Sequence, residues 1–390
     1  MFAGSGARDG LRSRQIPFHE TAMNGAGKYA PSQGVEKYLR LLREVGPVES
    51  RKRYRIGIIP GDGIGRDVVR AARMVLEALA DISPFSLDLV DLDAGAAAVA
   101  RYGNPFPTEL AEEIKKTDAV LFGAAGPPHT EKILHGFKRG FDLYAKVCPI
   151  RSFPGTSPLH PQADLVLIRE NTEGLYGMGG YSEGDRHVSL RVFTTRGMEK
   201  IIRFAFEWAL KKGRRKVTFT HKAGALPHTD EPMRQLFRQI SQEYPGLEAE
   251  EMMIDACAME IVMKPERLDV VLAENANGDI LSDVGAGIMG GLGLAYSGNV
   301  GDTMAVFEPI HGTAPKHADR NIVNPIAAIM AGQMLFDHLG EAAAAARITQ
   351  AVAEVLAEGK VRTYDLGGTS STTEVAAAIA EKMVRPGRAG

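Results

Sequence analysis

The chain has 390 residues, 44% hydrophobic and 24% charged, which suits about two globular domains with sizeable cores and excludes wholesale disorder. Its 46 basic and 48 acidic residues leave a formal charge of −2, so it lacks the broad cationic field of a nucleic-acid or acidic-lipid binder. Two cysteines, Cys148 and Cys257, cannot build a disulfide framework, and no apolar run reaches the ~18–20 residues of a membrane span, so a cytoplasmic protein is expected.

Residues 1–53 read as an N-terminal extension. Positions 1–32 mix Gly, Ser, Arg and Asn without a period, and Val35, Tyr38, Leu39, Leu42 and Val45 then recur at helical spacing. Alternating α/β text begins at Tyr54. A strand over 55–59 leads through Gly61-Asp-Gly-Ile-Gly65 into a helix over 67–80, with Val68, Val69, Ala72, Val75, Leu76 and Leu79 on its buried side. Further strands are predicted at 87–92, 119–122, 165–168, 188–194, 216–220, 251–254 and 269–273. Helices are predicted at 108–116, 198–212, 231–244, 256–264, 325–339, 342–357 and 371–384. Strict alternation fails after Phe153, which predicts an α/β protein whose second domain interrupts the first. The 43 glycines follow no repeat period, as expected of many tight turns and close backbone approaches.

Several short stretches carry chemistry. The turn at 61–65 follows a strand and opens a helix, but its third glycine comes one residue too early for a Rossmann fingerprint, so a plain strand-to-helix turn fits it equally well. Arg169-Glu-Asn-Thr-Glu-Gly-Leu-Tyr176 follows one strand and Thr220-His-Lys222 ends another, where α/β sheets collect ligands. Arg169 can fork onto a carboxylate, Tyr176 can pass a proton, and a partly desolvated Lys222 can act as a base; each piece alone also suits an ordinary polar loop. In Asn277-Gly-Asp-Ile-Leu-Ser-Asp283, Asp279 and Asp283 stand four apart, on one face if helical, with Asp255 upstream at the end of a predicted strand. Three converging carboxylates would bind Mg²⁺ or Mn²⁺ rather than zinc, the plainer alternative being helix capping by Asp279. The glycine run 285–293 that follows is costly in an ordinary helix. His311-Gly-Thr-Ala-Pro315, then Asn324-Pro325, forms a loop rich in backbone donors, of a kind that can wrap a nucleotide.

Together these motifs resemble the metal-dependent β-decarboxylating dehydrogenases, the isocitrate/isopropylmalate dehydrogenase family. GDGIG at 61–65, RENTEG at 169–174, HKA at 221–223, GDILSD at 278–283 and HGTAP at 311–315 occur in family order from Tyr54 to about Val384, and RENTEGLY is more like the isocitrate dehydrogenases. The resemblance implies a two-domain, non-Rossmann α/β fold. A large cofactor domain would comprise 54–143 plus 291–385, and a smaller substrate, metal and dimerisation domain 144–290. It implies a homodimer with shared active sites that oxidatively decarboxylates isocitrate or another 3-substituted malate, using NADP or NAD and Mg²⁺ or Mn²⁺. By the same resemblance, Tyr176 protonates the enolate at C3, the partner's Lys222 belongs to the base system, and Arg169 binds a substrate carboxylate. The partner's Asp255 joins Asp279 and Asp283 in holding the metal and taking the hydroxyl proton. Ile64, His311, Gly312, Thr313, Ala314, Lys316, His317, Asn324 and Tyr364 fall at cofactor positions. Lys316, where NAD users carry Asp, favours NADP through its attraction for a 2′-phosphate.

The chain departs from the family pattern where substrate is read. Lys138 and Cys148 stand at two positions that are normally arginine, and a point charge and a thiol do not replace two guanidinium forks. Lys146 and Arg151 lie near enough in sequence to compensate. Gly224 replaces the usual asparagine near the nicotinamide, and Asn277 a usual large residue. At the position that reads the C3 substituent stands the apolar Leu134, with Lys132 nearby, so an acidic and an apolar substituent both have a partner. The alternative reading is a non-catalytic regulatory subunit of a hetero-oligomeric isocitrate dehydrogenase.

Overall fold

A computed structural model describes residues 52–176 and 178–385. The helix predicted from Val35 to Val45, like the extension up to residue 51, lies outside the described residues.

The strands are β1 (Lys52–Gly61), β2 (Phe85–Asp91), β3 (Ala119–Ala124), β4 (Ala145–Arg151), β5 (Asp164–Glu170), β6 (Gly180–Glu183), β7 (Arg186–Ser189), β8 (Lys216–His221), β9 (Glu248–Met253), β10 (Val270–Ala273), β11 (Tyr296–Val300) and β12 (Ala305–Pro309). The α-helices are α1 (Gly65–Asp81), α2 (Ala96–Tyr102), α3 (Thr108–Ile114), α4 (Thr130–Gly140), α5 (Thr195–Lys211) and α6 (Asp230–Ser241), followed by α7 (Ile254–Met263), α8 (Asn275–Met289), α9 (Ile326–His338), α10 (Ala342–Glu358) and α11 (Thr372–Val384). Ten strands form one mixed sheet in the order β2-β1-β3-β12-β11-β4-β5-β10-β8-β9. Pairing is parallel in the outer portions, while β12, β11, β4 and β5 run antiparallel to their neighbours within that central group.

Local sequence explains most elements. The predicted apolar stripe of α1, from Val68 to Leu79, is buried against the sheet. Ser371 and Glu374 make a reciprocal capping box at the start of α11. On β4 and β5, alternate residues serve two different cores. Ala145, Val147, Val166 and Ile168 pack with α5, whereas Cys148, Ile150, Leu165 and Leu167 pack with Leu281 of α8. The glycines of α8 are explained by this contact. A Cβ at Gly278 would stand 2.6 Å from Arg169 Cγ, and one at Gly285 would stand 2.3 Å from Ile150 Cδ1. Seven residues apart, they share a helix face and let its backbone lie directly on the sheet.

Two expectations need correction. The predicted strand 188–194 is a short β6–β7 hairpin, beyond which only Val192 bridges, to Gly174. Leu190 and Val192 remain exposed, so no core draws the run into the main sheet. Asp255 does not end a strand: β9 stops at Met253, and Asp255 lies in the first turn of α7, where the helix dipole favours a carboxylate. Among the described residues no helix is long and apolar enough to cross a membrane.

Candidate active site

Arg169 stands near the end of β5 and is only 3% exposed. Its Nε and Nη2 donate to Asn275 Oδ1 at 3.1 and 2.7 Å, and its Nη1 pairs with Asp279. The following loop is folded back by Glu170, whose carboxylate accepts the backbone N–H groups of Thr172 and Glu173. Asn275 Nδ2 fixes the same loop by donating to the Glu173 carbonyl at 2.8 Å. Tyr176 is thereby delivered to Asp279, and its hydroxyl donates to Oδ2 at 3.1 Å. Partial burial, and then the Asp279 charge, push the Tyr176 phenol above its ordinary pKa, so it retains its proton at neutral pH.

Helix capping does not account for Asp279. Glu274 is the N-cap of α8, accepting the N–H groups of Ala276 and Asn277 at 3.0 and 2.8 Å. Asp279 and the exposed Asp283 are one helical turn apart, as their spacing predicted. Asp255 pairs instead with Lys222 Nζ at 2.7 Å, and that hydrogen bond lowers its pKa. Among the described residues, no three His, Cys, Asp or Glu side chains gather into a metal cluster, so one chain does not bring the three aspartates to one point. The donor chemistry still fits the implied ion: the half-open carboxylate of Asp279 and the exposed one of Asp283 suit Mg²⁺ or Mn²⁺, which retain several ligands from water and substrate.

A basic wall lies beside this cluster. α4 carries Leu134, half-buried against an apolar core, and Lys138 one turn later. Burial lowers the Lys138 pKa to about 7, Lys146 and Arg169 push in the same direction, and Glu308 and Asp279 oppose them. Cys148 is 1% exposed, and burial raises its thiol pKa. Asn275, Asn299 and Glu308 escaped the sequence reading. The clue to Glu308 was a single acid inside the apolar run Ala305–Ile310.

Lys138 has a measurable consequence. In the free protein at pH 8 it is mostly neutral, whereas a bound carboxylate favours its ammonium form. Substrate binding at pH 8 should therefore take up close to one proton, an uptake that fades below about pH 6, where Lys138 is already charged. Calorimetry in buffers of different ionisation enthalpy measures it, and Lys138→Met should lose it. Equal proton uptake by that variant would assign the proton elsewhere.

The remaining motifs meet at the carboxyl end of β1. Ile64, buried at 6%, donates its N–H to the Thr313 carbonyl at 2.9 Å. A Cβ at Gly63 would stand 2.2 Å from that carbonyl oxygen, so this turn needs glycine to receive the 311–315 loop. Asp62 pins the turn by accepting the N–H groups of Ala96 and Gly126, each at 2.9 Å. His311 bonds the Gly312 carbonyl through Nδ1, and its buried Nε2 has no partner among the described residues. Burial lowers its pKa, which leaves Nε2 a neutral acceptor. Gly312, Ala314 and Lys316 are exposed. The rings of His317 and Tyr364 lie 5.7 Å apart, and Asn324 donates to Asp365 at 2.9 Å, tying these segments together. An unsatisfied acceptor, exposed backbone and a tilted pair of rings on these segments suit a nucleotide base.

Comparison with known proteins gives the chain a family. The family model for isocitrate/isopropylmalate dehydrogenase matches residues 55–379. The chain is 41% identical over 332 residues to a 3-isopropylmalate dehydrogenase of Methanothermobacter thermautotrophicus, covering 85% of this chain and 99% of that one. It is 42% identical over 336 residues to an isocitrate/homoisocitrate dehydrogenase of Thermus thermophilus, covering 85% and 98%. The crystal structure of isocitrate dehydrogenase from Methylococcus capsulatus superposes with a TM-score of 0.80 at 40% identity, over 85% of this chain and 100% of that one.

Proposed function

Because the chain belongs to the isocitrate/isopropylmalate dehydrogenase family, we propose that it oxidatively decarboxylates isocitrate or another 3-substituted malate with NADP, preferred over NAD. The observation that carries this reading is the gathering of Arg169, Tyr176 and Asp279 at the end of β5. Arg169 receives a substrate carboxylate and Lys138 a second one, while Leu134 faces the C3 substituent. Asp279 and Asp283, with the partner's Asp255, would hold Mg²⁺ or Mn²⁺, which would supply Lewis-acid polarisation of the C2 oxygen. The partner's Lys222 takes the C2 hydroxyl proton, and a bound nicotinamide would supply the acceptor for the C2 hydride. The C3–carboxylate bond then breaks, CO₂ leaves, and its electron pair forms the enolate. Tyr176 delivers its proton to C3, for which its raised pKa keeps it ready.

The two-domain division at 54–143 plus 291–385 and 144–290, in a homodimer with shared sites, belongs to the same proposal. On the cofactor side, Ile64, His311–Ala314, Lys316, His317, Asn324 and Tyr364 receive the dinucleotide, and the exposed Lys316 attracts a 2′-phosphate. The test is an assay of the purified protein with Mn²⁺, both cofactors and a panel of isocitrate, homoisocitrate, 3-isopropylmalate and malate. Turnover with at least one is expected, faster with NADP. No turnover with any, together with activation of a co-expressed paralogue, would establish the regulatory-subunit reading instead.

A further inference from the structure

The mechanism above leaves one buried cation without a task. Lys146 on β4 lies directly opposite Arg169 on β5 and Asn299 on β11. Residues opposite one another in a sheet share a face, as do residues two apart on one strand, so Lys146 points with Arg169 and Cys148 toward α8. Lys146 is 9% exposed, and its Nζ donates to Glu308 at 2.9 Å. Glu308 is itself held by Asn299 Nδ2 at 2.9 Å, and Asn299 by Asn171 at 3.0 Å. This network fixes the ammonium while using one of its three hydrogens among the described residues.

The charge balance shows what the remaining donors suit. Lys138, Lys146 and Arg169 lie close enough to influence one another electrostatically, with Glu308 and Asp279 opposing them. Once Lys138 takes up its proton, three basic groups face two acidic ones, and an anionic ligand balances the excess. Arg151 is no competitor for this role. Its odd spacing from Cys148 puts it on the opposite face, and it is exposed at the far end of β4, opposite Asp164.

We infer that Lys146 is a substrate-anchoring residue, which donates to a carboxylate of the malate unit and supplies from position 146 the charge absent at Cys148. The inference rests on the dehydrogenase reading of this site. Two residues along one face displace the anchor by about 7 Å, a distance spanned by the lysine stem.

The test compares wild-type protein, Lys146→Asn and the double variant Lys146→Asn/Cys148→Arg in steady-state kinetics with isocitrate and 3-isopropylmalate. Loss of a charge-assisted bond should raise KM about 10-fold or more, with a smaller change in kcat, and the arginine should recover much of that loss. A wild-type KM in Lys146→Asn overturns the inference while the dehydrogenase reading stands. If Lys146→Asn does not fold because Glu308 is left unpaired, Lys146→Gln/Glu308→Gln removes both charges together. It is compared with Glu308→Gln alone, and equal KM values in that pair overturn the inference. If the wild-type protein turns over neither acid, calorimetric binding of the same acids decides the point: equal Kd for wild type and variant, or no binding by the wild type, overturns it.

Discussion

Asp279→Asn should lower metal-dependent turnover by about 10³-fold or more, since Lewis-acid stabilisation is worth several kcal/mol. The substitution removes one charge but keeps an oxygen acceptor for the Tyr176 hydroxyl, and Asn275 still binds two guanidinium nitrogens of Arg169. Asp279 is half-exposed, so its pairing with Arg169 is partly screened by solvent and the fold should survive. Circular dichroism and melting should therefore resemble wild type, while Mn²⁺ titration followed by electron paramagnetic resonance should show weakened binding. Full activity in this variant would place the metal elsewhere.

Tyr176→Phe should reduce kcat about 10²- to 10⁴-fold, the usual contribution of a positioned proton donor, with little change in KM. Its ring remains near Arg169, whose guanidinium lies 5.9 Å from the ring centre, so substrate binding loses only a hydroxyl. The specific readout is exchange at C3. Wild-type protein should exchange that proton of the 2-oxo acid product with D₂O, and the variant should exchange it far more slowly. Unchanged exchange would remove Tyr176 from the proton path.

The parts of the fold legible in the sequence are those with a strong local period. Helix α1 and strands β3, β5 and β8 occur where their apolar patterns put them, because each buries a regular face against its neighbours. Strand β4 was hidden: Ala-Lys-Val-Cys-Pro contains a buried lysine and a proline, which local rules read as breaks. β11 and β12 were missed for a related reason, since buried Asn299 and Glu308 interrupt apolar text and are satisfied only by distant partners. The glycines of α8 looked excessive for a helix until the sheet beneath them supplied the reason.

The sequence by itself determined the family, the order of the motifs and the spacing of Asp279 and Asp283, since these depend on neighbours within a few residues. Only the tertiary structure decided which charges meet. Arg169 finds Asp279 across 110 positions, Lys146 finds Glu308 across 162, and Asp255 takes Lys222 rather than the other aspartates. Burial and the charges of residues remote in sequence set the protonation of Lys138, and the pairing of β4 with β5 sets Lys146 opposite Arg169. Desolvation and Coulomb interactions depend on distance in space, and local sequence spacing does not encode that distance.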